Sequence, residues 1–107
     1  MRIEWTPEFE KWFRKLKDQQ AKKKIMARLI RLEYSENWGD FKVLSSDIRE
    51  LRVDHGPGYR VYLSKEMVDG EEKWVLVLNA GTKSGQQRDI QKAQDLFTDH
   101  IENKKGE

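Results

Sequence analysis

Hydrophobic residues recur with two different periods along the chain, and the change of period separates a helical half from a strand-rich half. After a short predicted strand at 2–5, Thr6 and Pro7 form a typical helix start. Apolar residues then recur every three or four positions in two stretches: Phe9, Trp12, Phe13 and Leu16, then Ala21, Ile25, Leu29 and Leu32. We predict two helices, interrupted at 18–20 and ended by 37–40.

The second half has the short, apolar-rich segments that are typical of strands. Three strands are predicted there, at 48–53, 59–63 and 73–80. Asp69-Gly70 predicts a tight hairpin between the last two, because these residue types tolerate the positive φ of a type I′ turn. Residues 74–78 are almost continuously apolar, which indicates an interior strand covered on both faces. A third helix is predicted from about Gln86.

The predicted element order is β-α-α-β-β-β-α, a single α+β domain over residues 1–107. We expect a small, mostly antiparallel sheet packed with an N-terminal helical pair and a C-terminal helix. The charged end of the chain, about 103–107, is expected to fray. There is no cysteine, and the N-terminus has no apolar segment of the signal-peptide type, so a cytoplasmic location without membrane contact is expected.

The register of the first predicted hairpin follows from its apolar positions. These are Leu51, Val53, Tyr59 and Val61. An odd, five-residue loop at 54–58 pairs them with one another, whereas a two-residue turn would put Arg60 among them, since a slip of one residue turns every side chain over. The five-residue loop places Arg52 directly opposite Arg60 on the polar face.

Two arginines that face each other destabilise a sheet unless a negative group lies between them. The negative group is either an acid of the chain, such as Glu50 or Asp89, or a phosphate. Guanidinium groups suit phosphate because their forked donors bind two oxygens at once. The alternative is a ladder of salt bridges on a solvated sheet face.

Lys83 follows the predicted central strand and could reach the same end of the sheet as Arg60. The surrounding Gly-Thr-Lys-Ser run lacks the upstream glycine spacing of a phosphate-binding P-loop, so that motif is rejected. His55 is either a turn residue or a general base, because its ordinary pKa lies near neutrality. No spacing indicates a metal site or acyl-transfer chemistry, and we expect neither metal nor cofactor.

Basic residues are concentrated in the helical half. Between Lys11 and Leu32 there are nine basic residues and one acidic residue, Asp18. Such asymmetry favours a polyanionic or acidic partner. A charged stretch of helix is equally typical of a solvated face.

Several motifs, taken in order, resemble one family across nearly the whole chain. They are Phe9-x-x-Trp12-x-x-x-Leu16, Gly39-Asp40-x-Lys42, Glu50-Leu51-Arg52, Gly56-Pro57-Gly58-Tyr59-Arg60-Val61-Tyr62 and Gly81-x-Lys83-Ser84-x-Gln86-x-x-Asp89-Ile90-x-x-Ala93. The family is the HigB-like "addiction module killer protein" branch of the RelE/ParE toxin superfamily. The resemblance implies the toxin of a type II toxin–antitoxin pair, neutralised by a protein antitoxin, here expected to be of the helix-turn-helix type.

In the ribonuclease branch of that superfamily, the toxin enters the ribosomal A site and cleaves the mRNA without a metal. The ribose 2′-OH attacks the adjacent phosphate, and Arg52, Arg60 and Lys83 match the family's basic catalytic cluster. Operator DNA would be contacted only through the antitoxin complex. The basic residues expected to contact ribosomal RNA, or to receive an acidic antitoxin segment, are Lys22, Lys23, Lys24, Arg28, Arg31 and Lys42.

The chain departs from the family pattern at two positions. Glu50 stands where several ribonuclease members carry a basic residue, and Asp89 stands near a position where some carry a tyrosine or histidine. The general base is therefore open among Lys83, His55, Asp89 and Glu50. Two alternatives also stay open: a ParE-like inhibitor of DNA gyrase, which does not need the basic cluster, and a corepressor that has lost toxicity.

Overall fold

A mixed five-stranded sheet with helices on both faces forms the core of the protein. The computed structural model describes residues 1–105, with side chains described to residue 103. The elements are β1 (Arg2–Trp5), α1 (Pro7–Lys15), α2 (Gln19–Ser35), β2 (Phe41–Val43), β3 (Ile48–Val53), β4 (Tyr59–Val68), β5 (Glu71–Thr82) and α3 (Gln86–Lys105), with a 3-10 turn at Lys83–Gly85. The predicted α+β class is confirmed.

The strands are arranged in the order β1-β5-β4-β3-β2, and only the β1–β5 pair is parallel. The mostly antiparallel sheet is thus confirmed, as is the interior position of β5. One strand was not predicted. β2 has only three residues, all exposed, and pairs with β3 at the edge of the sheet. Three exposed residues are too few to show a strand period.

The first helix begins at the predicted cap, Thr6, and the second begins just after Asp18, in the segment where an interruption was predicted. The Thr6 hydroxyl accepts a hydrogen bond from the Phe9 N–H (3.1 Å) and donates one to the Leu78 carbonyl (2.5 Å), which fixes α1 to the sheet. The Asp18 carboxylate accepts from the Ala21 N–H at the start of α2 (3.1 Å). At the other end of the chain, α3 includes residues 103–105 of the segment expected to fray, and residues 106–107 lie outside the described part.

The apolar side chains form one cluster on each face of the sheet. The larger cluster joins the sheet to α1 and α2, and its helical members include Phe9, Ala21, Ile25, Leu29 and Leu32. The smaller cluster lies under α3 and contains Ile48, Tyr62, Leu78 and Ala93. Complete burial of a large apolar side chain stabilises the fold by about 1.5–3 kcal/mol, so both faces contribute to stability.

The face that carries Arg52 and Arg60 is covered by α3, which corrects the alternative of a solvated ladder. Glu50 and Tyr62 share this face and are completely buried. Burial raises the pKa of the Tyr62 hydroxyl above its ordinary value, and the neighbouring Glu50 carboxylate adds to that effect. The polar side chains of this face therefore form a buried cluster under a helix.

A β-bulge in β5 lies next to the residue that joins the end of the sheet to the start of α3. Tyr62 pairs with Asn79 and the next residue, Leu63, pairs with Val77, so Leu78 is the extra residue of β5. Asn79, which is buried, donates its side-chain amide to the Asp89 carbonyl (3.0 Å). The bulge thus brings the end of β5 and the first turn of α3 together.

Arg28 holds α2 against the edge of the sheet. Its guanidinium donates hydrogen bonds to three carbonyls, those of Arg52 (2.6 Å), Trp38 (2.8 Å) and Asp40 (2.8 Å). Burial lowers the pKa of Arg28 below its ordinary value. Because these donors are used inside the protein, Arg28 has a structural role, and its assignment to RNA contact stays a prediction.

Each helix within residues 1–105 is too short or too polar to cross a bilayer.

Replacing Arg28 with Met should lower the free energy of unfolding by about 3 kcal/mol, because three carbonyls lose a charged donor. The matched control is Arg31→Met on the same helix, where the side chain is exposed and makes no hydrogen bond within the described residues. That change should stay within about 0.5 kcal/mol. Urea unfolding followed by circular dichroism measures both, and equal midpoints for the two variants would contradict the structural role of Arg28.

Candidate active site

The predicted register of the first hairpin is confirmed. Arg52 pairs with Arg60, and the neighbouring pairs are Leu51 with Val61 and Val53 with Tyr59. The connecting loop is the five-residue segment 54–58. The two arginine side chains therefore leave the sheet side by side, at the end of the sheet where β3 finishes and β4 begins.

The loop after β5 closes onto this hairpin. The Lys83 N–H donates to the Gly58 carbonyl (2.8 Å). Gly58 has φ of +80°, and a Cβ there would lie 3.5 Å from Lys83 Cβ and 3.6 Å from Arg60 Nη1. Glycine allows this backbone conformation and the close approach of both side chains. The predicted placement of Lys83 at the same end of the sheet as Arg60 is confirmed.

Glu50 is the negative group between the two arginines. Its Oε1 accepts from Arg52 Nε (3.1 Å) and lies 3.9 Å from Arg60 Nε. Its Oε2 accepts from the side-chain amide of Gln86 (2.7 Å), at the first residue of α3. The carboxylate is 0% exposed, whereas the side chains of Arg52 and Arg60 are 36% and 13% exposed. Glu50 thus lies beneath both arginines and is hydrogen-bonded to Arg52, whereas Arg60 donates its Nη1 to the Tyr59 carbonyl (3.0 Å).

A cleft of about 330 Å³ opens above this pair. Its charged lining consists of Arg52, Arg60, Lys83, Asp40 and Asp54. With Glu50 included, the site holds three cations and three carboxylates, and its positive charge is local to the arginine pair and Lys83. An anion that enters from solvent meets several donors whose positions are already set.

Of the four candidates for the general base, only Lys83 lines the cleft. Glu50 is sealed beneath the arginines. The His55 ring is turned toward the start of α2, where Nε2 lies 3.1 Å from Asp18 Oδ2. Asp89 packs on the other side of the β5 end, against Gly81, where a Cβ would overlap its carboxylate. Burial raises the pKa of Asp89, and Arg88 and Lys92 oppose that rise.

Three residues at or beside the cleft were not among the predicted site residues. Asp40 and Asp54 line the cleft, and Gln86 orients Glu50. Asp54 lies two residues after Arg52, and side chains at that spacing in a strand share a face, so the sequence did indicate that Asp54 lies beside Arg52. Asp40 had no such signal because the strand that follows it was not predicted.

The basic residues that the sequence assigned to RNA contact do not line the cleft, although Arg28 donates to the Arg52 carbonyl. Lys22 donates to the Arg14 carbonyl (3.2 Å) and lies over the Phe13 ring, with Nζ 5.6 Å from the ring centroid. The others that the sequence assigned to RNA contact are exposed: Lys23, Lys24, Arg31 and Lys42. Lys23, Lys24 and Arg31 are thus at the surface and do not line the cleft, whereas Lys42 lies in β2 directly opposite Glu50 in the strand register.

A curated protein from Haemophilus influenzae (strain ATCC 51907 / DSM 11121 / KW20 / Rd), described as uncharacterized, is 43% identical to this chain over 93 residues. The match covers 87% of this chain and 89% of that protein. The chain belongs to the family of this Haemophilus influenzae protein. No family model matches the chain. The shared length spans nearly all of both chains, so we expect the relative to have the same α+β domain.

Glu50→Gln should lower the free energy of unfolding by about 3 kcal/mol, because it leaves two facing arginines without their buried counter-charge. The matched control is Glu10→Gln, an exposed residue of α1, which should change stability by less than about 0.5 kcal/mol. Urea denaturation measures both. The buried pairing is contradicted if Glu50→Gln and Glu10→Gln unfold at the same urea concentration.

Asp18→Asn should remove part of the acid sensitivity of the protein. The Ala21 N–H, with a smaller contribution from His55, holds the pKa of the Asp18 carboxyl below its ordinary value of 3.8. A lowered pKa in the folded state adds stability above the ordinary pKa, and that stability is lost as the pH falls through the folded value. The advantage of the wild type over Asp18→Asn should therefore exist at neutral pH and vanish in strong acid, as urea unfolding at both pH values would show. An unchanged gap in acid would contradict this role.

Proposed function

We propose that the protein is the toxin of a type II toxin–antitoxin pair and acts as a ribosome-dependent, metal-independent mRNA endonuclease of the RelE/HigB type. The observation that carries the proposal is the convergence of three cations, Arg52, Arg60 and Lys83, on one cleft, with the Glu50 carboxylate buried beneath the arginine pair. A site built in this way suits a phosphate that gains negative charge during reaction.

In the proposed reaction, the 2′-oxygen of a ribose forms a bond to the adjacent phosphorus, and the bond from phosphorus to the 5′-oxygen of the next nucleotide breaks. The products are a 2′,3′-cyclic phosphate and a 5′-hydroxyl. Negative charge grows on the phosphoryl oxygens in the transition state. The forked donors of Arg52 and Arg60 are suited to stabilise that charge, because Glu50 and the hairpin already hold them in position.

Two protons must also move, from the 2′-OH to a base and from an acid to the 5′-oxygen. Arginine is a poor proton acceptor because its pKa is so high. The other ionisable groups at the cleft are Lys83, Asp40 and Asp54. We assign proton transfer to this group and give Glu50 a positioning role, because its carboxylate has no exposed surface.

The partners in this proposal are those implied by the resemblance. A cognate antitoxin of the helix-turn-helix type would neutralise the toxin, and the pair would bind operator DNA through the antitoxin. The toxin itself would act in the cytoplasm on the translating ribosome and its mRNA.

Arg60→Ala and Arg52→Ala should each reduce transcript cleavage by at least about 100-fold, the loss typical when one donor to a developing anion is removed. The matched control is Lys73→Ala, an exposed residue near the start of β5, at the other end of the strand from the cleft. The measurement is the mapping of transcript ends after brief induction, with circular dichroism to confirm folding. Arg52 is the more exposed of the pair, so its variant has the smaller risk of misfolding.

Undiminished cleavage by folded Arg60→Ala and Arg52→Ala would contradict the proposal. Growth arrest that persists in both variants, with trapped gyrase–DNA complexes and intact transcripts, would support the ParE-like alternative instead. Wild-type expression without growth arrest or cleaved transcripts would support the corepressor.

A further inference from the structure

Shared lining residues link the cleft above the arginines to a second groove. Residues 83–88 line a patch of surface between the two. One of these residues, Lys83, also lines the cleft. Three others, Ser84, Gly85 and Arg88, also line a groove of about 570 Å³. That groove lies between α1, the end of β5 and the start of α3. We call it the α1–α3 groove. It is defined by Lys11, Trp12, Lys15, Arg88, Asp89 and Lys92.

Free positive charge is concentrated in the α1–α3 groove. Lys92 forms an ion pair with Glu8, which also lines the groove. Lys11, Lys15 and Arg88 are exposed and form no ion pair within residues 1–103. The remaining acid, Asp89, is half-buried against Gly81. Three cations are thus available to a ligand that lies in the groove.

The opposite rim of the cleft has the opposite charge. Asp40 precedes β2 and Asp54 follows β3, and both of these strands lie on the far side of β4 from β5 and Lys83. A polyanion with one phosphate at Arg52 and Arg60 is therefore repelled on the Asp40 side and attracted across the turn that carries Lys83. This asymmetry gives a bound strand one favoured exit.

We propose that a single strand of RNA leaves the cleft across the 83–85 turn and enters the α1–α3 groove, where Lys11, Lys15 and Arg88 hold the phosphates next to the reacting one. This inference rests on the proposed function and specifies how its substrate is bound. In this proposal the α1–α3 groove, and not the set of basic residues on α2, is the main RNA contact.

The groove also offers a surface for a base. Trp12 lines it and is half-buried, with its ring stacked on Phe9 (centroids 6.0 Å apart, 24° between planes). A fixed aromatic ring beside a row of cations is the combination that single-strand binding proteins use, with stacking for bases and charge for phosphates. Together with the lining residues that link the groove to the cleft, this favours RNA over an acidic protein segment.

The test is the binding of a short, fluorescently labelled, single-stranded RNA to the full chain. Every ribose carries a 2′-O-methyl group, so the 2′-oxygen cannot attack and binding is measured without cleavage. Lys11→Gln/Lys15→Gln removes two charges from the groove, and Lys23→Gln/Lys24→Gln removes two from exposed positions on α2. Fluorescence anisotropy over a sodium chloride series gives the affinity and its salt dependence.

The groove variant should bind at least about tenfold more weakly at low salt, and its plot of log affinity against log salt should be shallower by about 1.4, or about 0.7 for each phosphate that is no longer neutralised. The α2 variant should stay within about twofold of the wild type. Equal affinities for wild type and groove variant, or a larger reduction in the α2 variant, would overturn the inference. Displacement of the RNA by poly-glutamate at equal charge concentration would assign the groove to an acidic protein segment and would also overturn it.

Mapping transcript ends in the same variants separates this inference from the proposed function. If Arg60→Ala abolishes cleavage but the groove variant binds RNA normally, the groove inference alone fails. If RNA binding depends on the groove but the wild type cuts no transcript, the proposed function alone fails.

Discussion

The arrangement at the hairpin depends on one buried carboxylate, Glu50, which lies between Arg52, Arg60 and Gln86. Strand pairing sets the two arginines opposite each other, a placement that repels unless an anion is close. A carboxylate with no exposed surface is itself costly unless it is paired and hydrogen-bonded. The carboxylate therefore reduces the repulsion between the arginines, and the arginines offset the cost of burying the carboxylate. One carboxylate serves two guanidinium groups, so positive charge is left over on the arginine pair itself, and Asp40 and Asp54 carry the compensating charge elsewhere in the lining of the cleft.

The rest of the fold covers the inner side of this cluster and leaves its outer side open to solvent. The helix α3 covers the face beneath the arginines, and it is fastened there by Gln86 at its first turn and by the Asn79 amide bound to Asp89. From the other side, Arg28 fixes the backbone of Arg52 to α2. In the loop after β5, the Lys83 N–H donates a hydrogen bond to the Gly58 carbonyl, so Lys83 forms a further side of the cleft. Three separate segments of the chain thus converge on one cleft.

Local rules were enough to predict much of this architecture. Strand parity predicted the Arg52–Arg60 register, because a slip of one residue would have turned apolar side chains to the wrong face. The Asp69-Gly70 turn was equally accessible, and both residues have positive φ, +54° and +82°. These features depend on neighbours in sequence or across one strand pair.

The features that were missed depend on distant parts of the chain. The burial of Glu50 is caused by α3, which begins 36 residues later, so a polar strand face looked like a solvated one. Arg28 looked like one more surface cation, because the three carbonyls it binds are brought to it only by the folded edge of the sheet. His55 was a candidate base in the sequence, but in the folded protein its ring faces Asp18. Charged side chains are ambiguous in a sequence because their partners are set by tertiary structure.

The proposal that Arg52, Arg60 and Lys83 promote attack of a ribose 2′-oxygen on the adjacent phosphate is tested most directly by the chemistry of the cut ends. Attack by the 2′-oxygen retains the phosphorus on the upstream fragment and frees the 5′-oxygen of the downstream one. The account predicts transcripts that end in a 2′,3′-cyclic phosphate, with downstream fragments that begin with a 5′-hydroxyl. Upstream fragments with a 3′-hydroxyl and downstream fragments with a 5′-phosphate would contradict it.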